Sequence, residues 1–145
     1  MKETICIAAG VIGGFIAALF GGWNQAMTTL IIFMAIDYLT GFLVAAVFHR
    51  SGKTETGALS SDVGLRGIAK KGVMLLIVLV AARLDLLIGT TFIRDTACIA
   101  LILNELISIM ENAGLMGVPF PTVFQRAIDI LQRRAEEPAE REDKP

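Results

Sequence analysis

The sequence predicts an all-α integral membrane protein. It has four transmembrane helices in two tight hairpins, both termini in the cytoplasm, a short C-terminal amphipathic helix, and assembly into oligomers. Three observations carry that reading. The 145 residues are 54% hydrophobic with a mean hydropathy of +0.67, too apolar for a water-soluble domain of this length. Four segments, roughly 4–22, 26–48, 72–92 and 95–115, meet the need of a spanning helix for about 20 mostly apolar residues. The charges are also segregated: none falls between Thr4 and Ile36, and most gather between Arg50 and Lys71 and after Gln125. The net charge of −1 selects no class of partner, and nothing points to nucleic acid.

In the first span, Lys2 ahead of an apolar run imitates a secretory signal. The run exceeds the usual ~7–15 residues and no small-x-small cleavage site precedes the next span, so the segment is expected to be retained. Small residues recur at every fourth position, in a strip of Gly10, Gly14, Ala18 and Gly22 beside a second of Ala9, Gly13, Ala17 and Gly21. That spacing predicts a helix–helix contact surface, either with the second span or between subunits. Only Trp23, Asn24 and Gln25 connect the first two spans, which predicts an antiparallel hairpin with Trp23 at the membrane interface.

The second span, containing "IIFMAIDYLTGFLVAA", places Asp37 amid apolar residues, with Gly41 and Ala45 following as a small strip that admits a neighbouring backbone. A long basic loop, 49–71, leads to the third span. Its Ser-, Thr- and Gly-rich first half should be flexible. In its second half Ser60, Ser61 or Asp62 can start a helix, on which Arg66 and Lys70, with Lys71 beside them, would meet lipid headgroups. The alternative is a charge cluster that only sets topology. Arg94 and Asp95 make a second tight link, and the fourth span carries a polar strip of Asn104, Glu105, Ser108, Glu111 and Asn112. Pro119 and Pro121 then stop the helix. Over 119–135, Phe124, Ile128 and Leu131 oppose Arg126, Arg133 and Arg134, an amphipathic pattern suited to the membrane surface or a neighbouring subunit. Residues 136–145 read as a disordered charged tail, leaving 1–118 as the membrane domain.

Orientation follows from the basic residues. With four spans, Lys2, the five Lys/Arg residues from Arg50 to Lys71, and those from Arg126 onward share one side, against Arg94 alone on the other. The asymmetry predicts cytoplasmic termini.

Asp37, Arg83, Asp85 and Glu105 all fall near the centres of their spans. Each would cost about 2.5–3.5 kcal/mol facing lipid alone, so they are expected to face one another, a neighbouring subunit or water. Arg83 and Asp85, two residues apart, point to different sides of their helix, so Arg83 is expected to reach Asp37 or Glu105 instead. Such charges either fix helix register as a buried network or line a hydrated path. Both readings stay open from the residues alone.

Catalytic signatures are missing. The single histidine, His49, sits at a membrane–loop junction; Cys6 and Cys98 lie in apolar runs toward opposite faces and read as packing residues. No nucleophile elbow, phosphate-binding loop, zinc motif or C-x-x-C pair occurs. A non-enzymatic protein without metal or cofactor is expected.

Two strings remain: "IDYLTG" at 36–41 and "GLRGIAKK" at 64–71, followed by "LD" at 84–85 and "NELISIMENAGLMGVPFP" at 104–121. In order and spacing they resemble the toxin-secretion and phage-lysis holin family, over most of the chain. The resemblance implies a small phage or prophage protein that accumulates in the bacterial cytoplasmic membrane and oligomerises. It then opens lesions through which an endolysin or toxin passes, without required direct contact, and an antiholin is a possible further partner. The family's aspartate would fall on Asp37, its basic pair on Lys70 and Lys71, and its Asn–Glu pair on Asn104 and Glu105. The Gly-rich first helix departs from the family, whose members are often described with three spans. A small ion channel or proton-coupled transporter, or a non-conducting assembly protein, would also suit the residues.

Overall fold

A computed structural model describes residues 1–136 of the chain. They form five α-helices and, among the described residues, no strand: α1 (Lys2–Leu19), α2 (Gln25–Ala46), α3 (Ser61–Ile88), α4 (Phe92–Leu115) and α5 (Val123–Glu136). Of the tail expected to be disordered, 137–145 lies outside the described residues. Two helices, α1 and α2, are long and apolar enough to cross a membrane.

The centre of the molecule is α4, which packs against α2, α3 and α5. Met27, Leu30 and Met34 of α2, Met74 and Val78 of α3, and Cys98 and Ile102 of α4 form one buried cluster, with Phe20 packed against it. Outside this cluster much of the exposed surface of α1 to α4 is apolar. Leu87 is 85% exposed, and Leu76, Val80, Leu39 and Ile32 also point outward, while Asp37, Asp85, Arg94, Glu105 and Asn112 are buried. A water-soluble domain buries its apolar groups and exposes its charges; this inverse arrangement suits hydrocarbon as solvent. Cys6 is exposed, Cys98 is buried, and neither is in a disulfide.

The helix ends explain how the elements are joined. Asn24, in extended conformation, caps α2 by accepting the amide of Met27 at 3.0 Å, and donates to the Asp95 carboxylate at 2.8 Å. Helix α3 begins at Ser61, one of the three residues expected to start a helix, and runs without a break for about three turns into the expected span at residue 72. It ends at Gly89, whose φ of 81° closes the last turn in the left-handed region. In the loop before α3, a Cβ on Gly57 would lie 2.2 Å from the His49 carbonyl oxygen, so only glycine fits there.

The expected hairpin of the first two spans is not formed. Helix α1 packs on α3 and makes no helix–helix contact with α2, and none of its residues is buried. Gly21 and Gly22 carry φ values of 71° and 95°, so the link turns α1 away instead of folding it back. The small strip of α1 has no partner within the described chain: nothing lies within 4 Å of a Cβ placed on Gly10, Gly14 or Gly22, and Ala18 is exposed.

Candidate functional site

Three helices converge on a buried ion network. Helix α2 supplies Asp37, α4 supplies Glu105, and α3 sends Lys71 between them. The Lys71 ammonium donates to Asp37 Oδ2 at 2.8 Å and, more closely still, to Glu105 Oε2. The Glu105 side chain is 2% exposed and that of Lys71 16%, so both charges are largely out of contact with solvent. A cation held between two carboxylates leaves one formal negative charge, and neighbouring amides share it. Asn112 Nδ2 donates to Asp37 Oδ1 at 3.1 Å and to Thr40 Oγ1 at 3.0 Å, and Asn104 Nδ2 donates to Glu105 Oε1 at 3.4 Å. Thr40 in turn donates to the Asp37 carbonyl. Among the described residues no buried side-chain polar atom lacks a hydrogen-bond partner, the condition under which buried charge is tolerated.

Small residues let the helices approach closely enough for these bonds. A Cβ on Gly41 would stand 3.6 Å from Asn112 Nδ2, and Ala45 is buried. The Tyr38 side chain lies across α3, with its hydroxyl 3.5 Å from a Cβ on Gly64 and its ring 3.9 Å from one on Gly67. Above the network a cavity of about 710 Å³ opens among α2, α3, α4 and the 51–60 loop. Ser108 and Glu111 of α4, and Arg66 and Lys70 of α3, line it.

The predicted site residues therefore divide. Asp37, Asn104 and Glu105 meet in the network, and Ser108 lines the adjoining cavity. Lys71, expected at lipid headgroups, is instead the bridging cation, because α3 runs back through it and its four-carbon stem reaches between α2 and α4. Arg83, expected to pair with Asp37 or Glu105, is exposed on α3 and makes no ion pair among the described residues. Helix α3 ends at Ile88, which leaves Arg83 in its last turns, where a long side chain can extend past the helix end.

Asp85, expected at the same depth, forms part of a second polar cluster at the far end. Its carboxylate accepts the amides of Ile93 (3.1 Å) and Arg94 (2.8 Å) and the Thr90 hydroxyl at 2.6 Å. It thus caps α4 from the preceding helix. Arg94 Nη1 donates to the carbonyls of Phe20, Gly21 and Gly22 at 2.9–3.1 Å, and its Nε to Asp95 Oδ1 at 3.1 Å. One guanidinium thereby gathers the orphan carbonyls at the end of α1. The sequence places Arg94 in a short link and on the less basic side; that Asn24, Arg94 and Asp95 occupy two short links expected on the same side is the signal that they could meet.

The fold and its buried charges define a small helical membrane protein. Residues 14–133 match the bacteriophage holin family, and the chain belongs to that family. It is 37% identical over 134 residues to an uncharacterized protein of Clostridium perfringens strain 13, covering 90% of this chain and 93% of the relative. An uncharacterized 14.9 kDa protein from the nagH 3′ region of C. perfringens is 37% identical over 125 residues, 85% of this chain and 89% of its own. An uncharacterized protein of Halalkalibacterium halodurans is 36% identical over 138 residues, 91% and 96% of the two chains. No solved structure matches.

Proposed function

We propose that the protein is a lesion-forming holin of the bacterial cytoplasmic membrane. It would span the membrane four times with both termini cytoplasmic, self-associate, and open a path for an endolysin or toxin. Membership of the holin family supports this reading, and the single structural observation that carries it is the Asp37–Lys71–Glu105 network inside an apolar bundle. In the resting monomer the network satisfies charges that lipid would not accept. Once copies accumulate, separation of α3 from α2 and α4 would expose three charged groups and two amides to water entering from the adjoining cavity. The same side chains then favour a wet interior in place of a dry one. Helix α1, whose small strip has no partner within the described chain, is the surface assigned to self-association. The protein would need no cofactor and catalyse no reaction.

The test is induced expression in bacteria with and without a cytoplasmic endolysin lacking its own export signal. Abrupt lysis is expected only when both are present, and earlier when the membrane potential is collapsed. Steady ion flux without endolysin passage would replace this reading with a channel or transporter; no permeability change would leave an assembly protein.

A further inference from the structure

The cavity beside the network holds charges of both signs that the fold does not pair with one another. Arg66 and Lys70 line it from α3, one turn apart on one helix face, Lys53 lines it from the 51–60 loop, and Glu111 lines it from α4. Among the described residues none of the four takes part in an ion pair. Deeper in the same space, by contrast, Lys71 is held by two carboxylates. The volume of about 710 Å³ falls in the range of small-molecule sites. Phe42 and Ile107 also line this cavity while being exposed on the apolar surface of the bundle. The space is therefore lined by exposed charges at its opening and bordered by hydrocarbon-like side chains.

We propose that this cavity binds the phosphoethanolamine headgroup of a phospholipid, with the phosphate at Arg66 and Lys70, the primary ammonium at Glu111, and the acyl chains leaving past Phe42 and Ile107. Three unpaired cations and one unpaired carboxylate lining the same space offer partners for a phosphate joined to an ammonium. Phosphate oxygens accept charge-assisted hydrogen bonds from guanidinium and ammonium groups, and an –NH₃⁺ group donates them to a carboxylate. A trimethylated choline has no N–H to donate, and a glycerol headgroup brings no cation, so each leaves Glu111 without a charged donor. The site depends on membrane residence but not on lesion formation, and it stands whether or not the chain lyses cells.

The purified full chain in detergent is offered phosphatidylethanolamine, phosphatidylglycerol or phosphatidylcholine of matched chains, and retained lipid is read by native mass spectrometry. Phosphatidylethanolamine should be retained about tenfold more than either rival, the equivalent of one charge-assisted hydrogen bond. Glu111→Gln should erase that preference and Glu111→Asp keep most of it, while Arg66→Gln should lower retention of all three lipids. Circular dichroism confirms that each variant keeps its helices. Displacement by soluble phosphoethanolamine would assign recognition to the headgroup alone; persistence of the preference in its presence would assign it to the whole lipid. Equal retention of the three lipids, a preference for phosphatidylglycerol, or a preference that survives Glu111→Gln would overturn the proposal.

Discussion

Lys71 shows how one side chain can decide the state of a buried site. With its ammonium in place, Asp37 and Glu105 are both bonded; without it, two carboxylates face each other in an apolar bundle. Lys71→Met should therefore lower stability by about 3–5 kcal/mol, the range for breaking a buried ion pair by removing one partner. Thermal unfolding in detergent checks this, and adding Asp37→Asn and Glu105→Gln to Lys71→Met should recover much of the loss. Asp37→Asn and Glu105→Gln singly should shift lysis time in an inducible assay without preventing insertion. Unchanged timing in both would remove the network from the mechanism. Asp85 acts on a different structure. Asp85→Ala strips the cap from α4 and should cost about 2 kcal/mol, with faster hydrogen exchange at the Ile93 and Arg94 amides. Asp37 and Glu105 are visible in the sequence because a carboxylate within an apolar run needs a partner. The partner's identity is not visible there: the residues predict a helix through Lys71, but only its packing against α2 and α4 turns the Lys71 ammonium inward and not toward lipid headgroups.

Helix α1 is held to the rest of the described chain chiefly at its end. Arg94 gathers three carbonyls there and Phe20 packs against the core, while the remainder of the helix has no buried residue. Arg94→Gln should loosen it. A spin label on the exposed native Cys6, paired with one on Leu87→Cys, should show a broader distance distribution in that variant than in the parent; identical distributions would mean that Phe20 suffices. The existence of α1, α2 and α4 follows from apolar length alone. Their partners do not, because a three-residue link specifies only that two helix ends are near. Gly21 and Gly22 adopt left-handed conformations open to glycine, and they direct α1 away from the neighbour that link length implied.

In the whole molecule, largely apolar helix faces surround two polar clusters, one midway along α2 and α4 and one where α3 meets α4, with α4 contributing to both. Gly10→Ile combined with Gly14→Ile should weaken self-association in detergent and delay lysis, while leaving the buried network and the melting temperature of the monomer nearly unchanged, since neither glycine touches the bundle. Loss of monomer stability in that variant would instead place α1 within the fold of one chain. What the sequence by itself determined was the solvent and the elements: long apolar runs cannot be hydrated, and prolines or glycines end the helices they delimit. It also marked Asp37 and Glu105 as groups that need compensation. Tertiary structure alone decided which cation supplies it, that Asp85 and Arg94 join the helix ends, and that the α1 strip stays open. Those outcomes depend on where each helix begins and how it is rotated about its axis. The start of α3 at Ser61 is among those the sequence offers, but only the packing of α3 against α2 and α4 turns Lys71 inward and Arg83 outward.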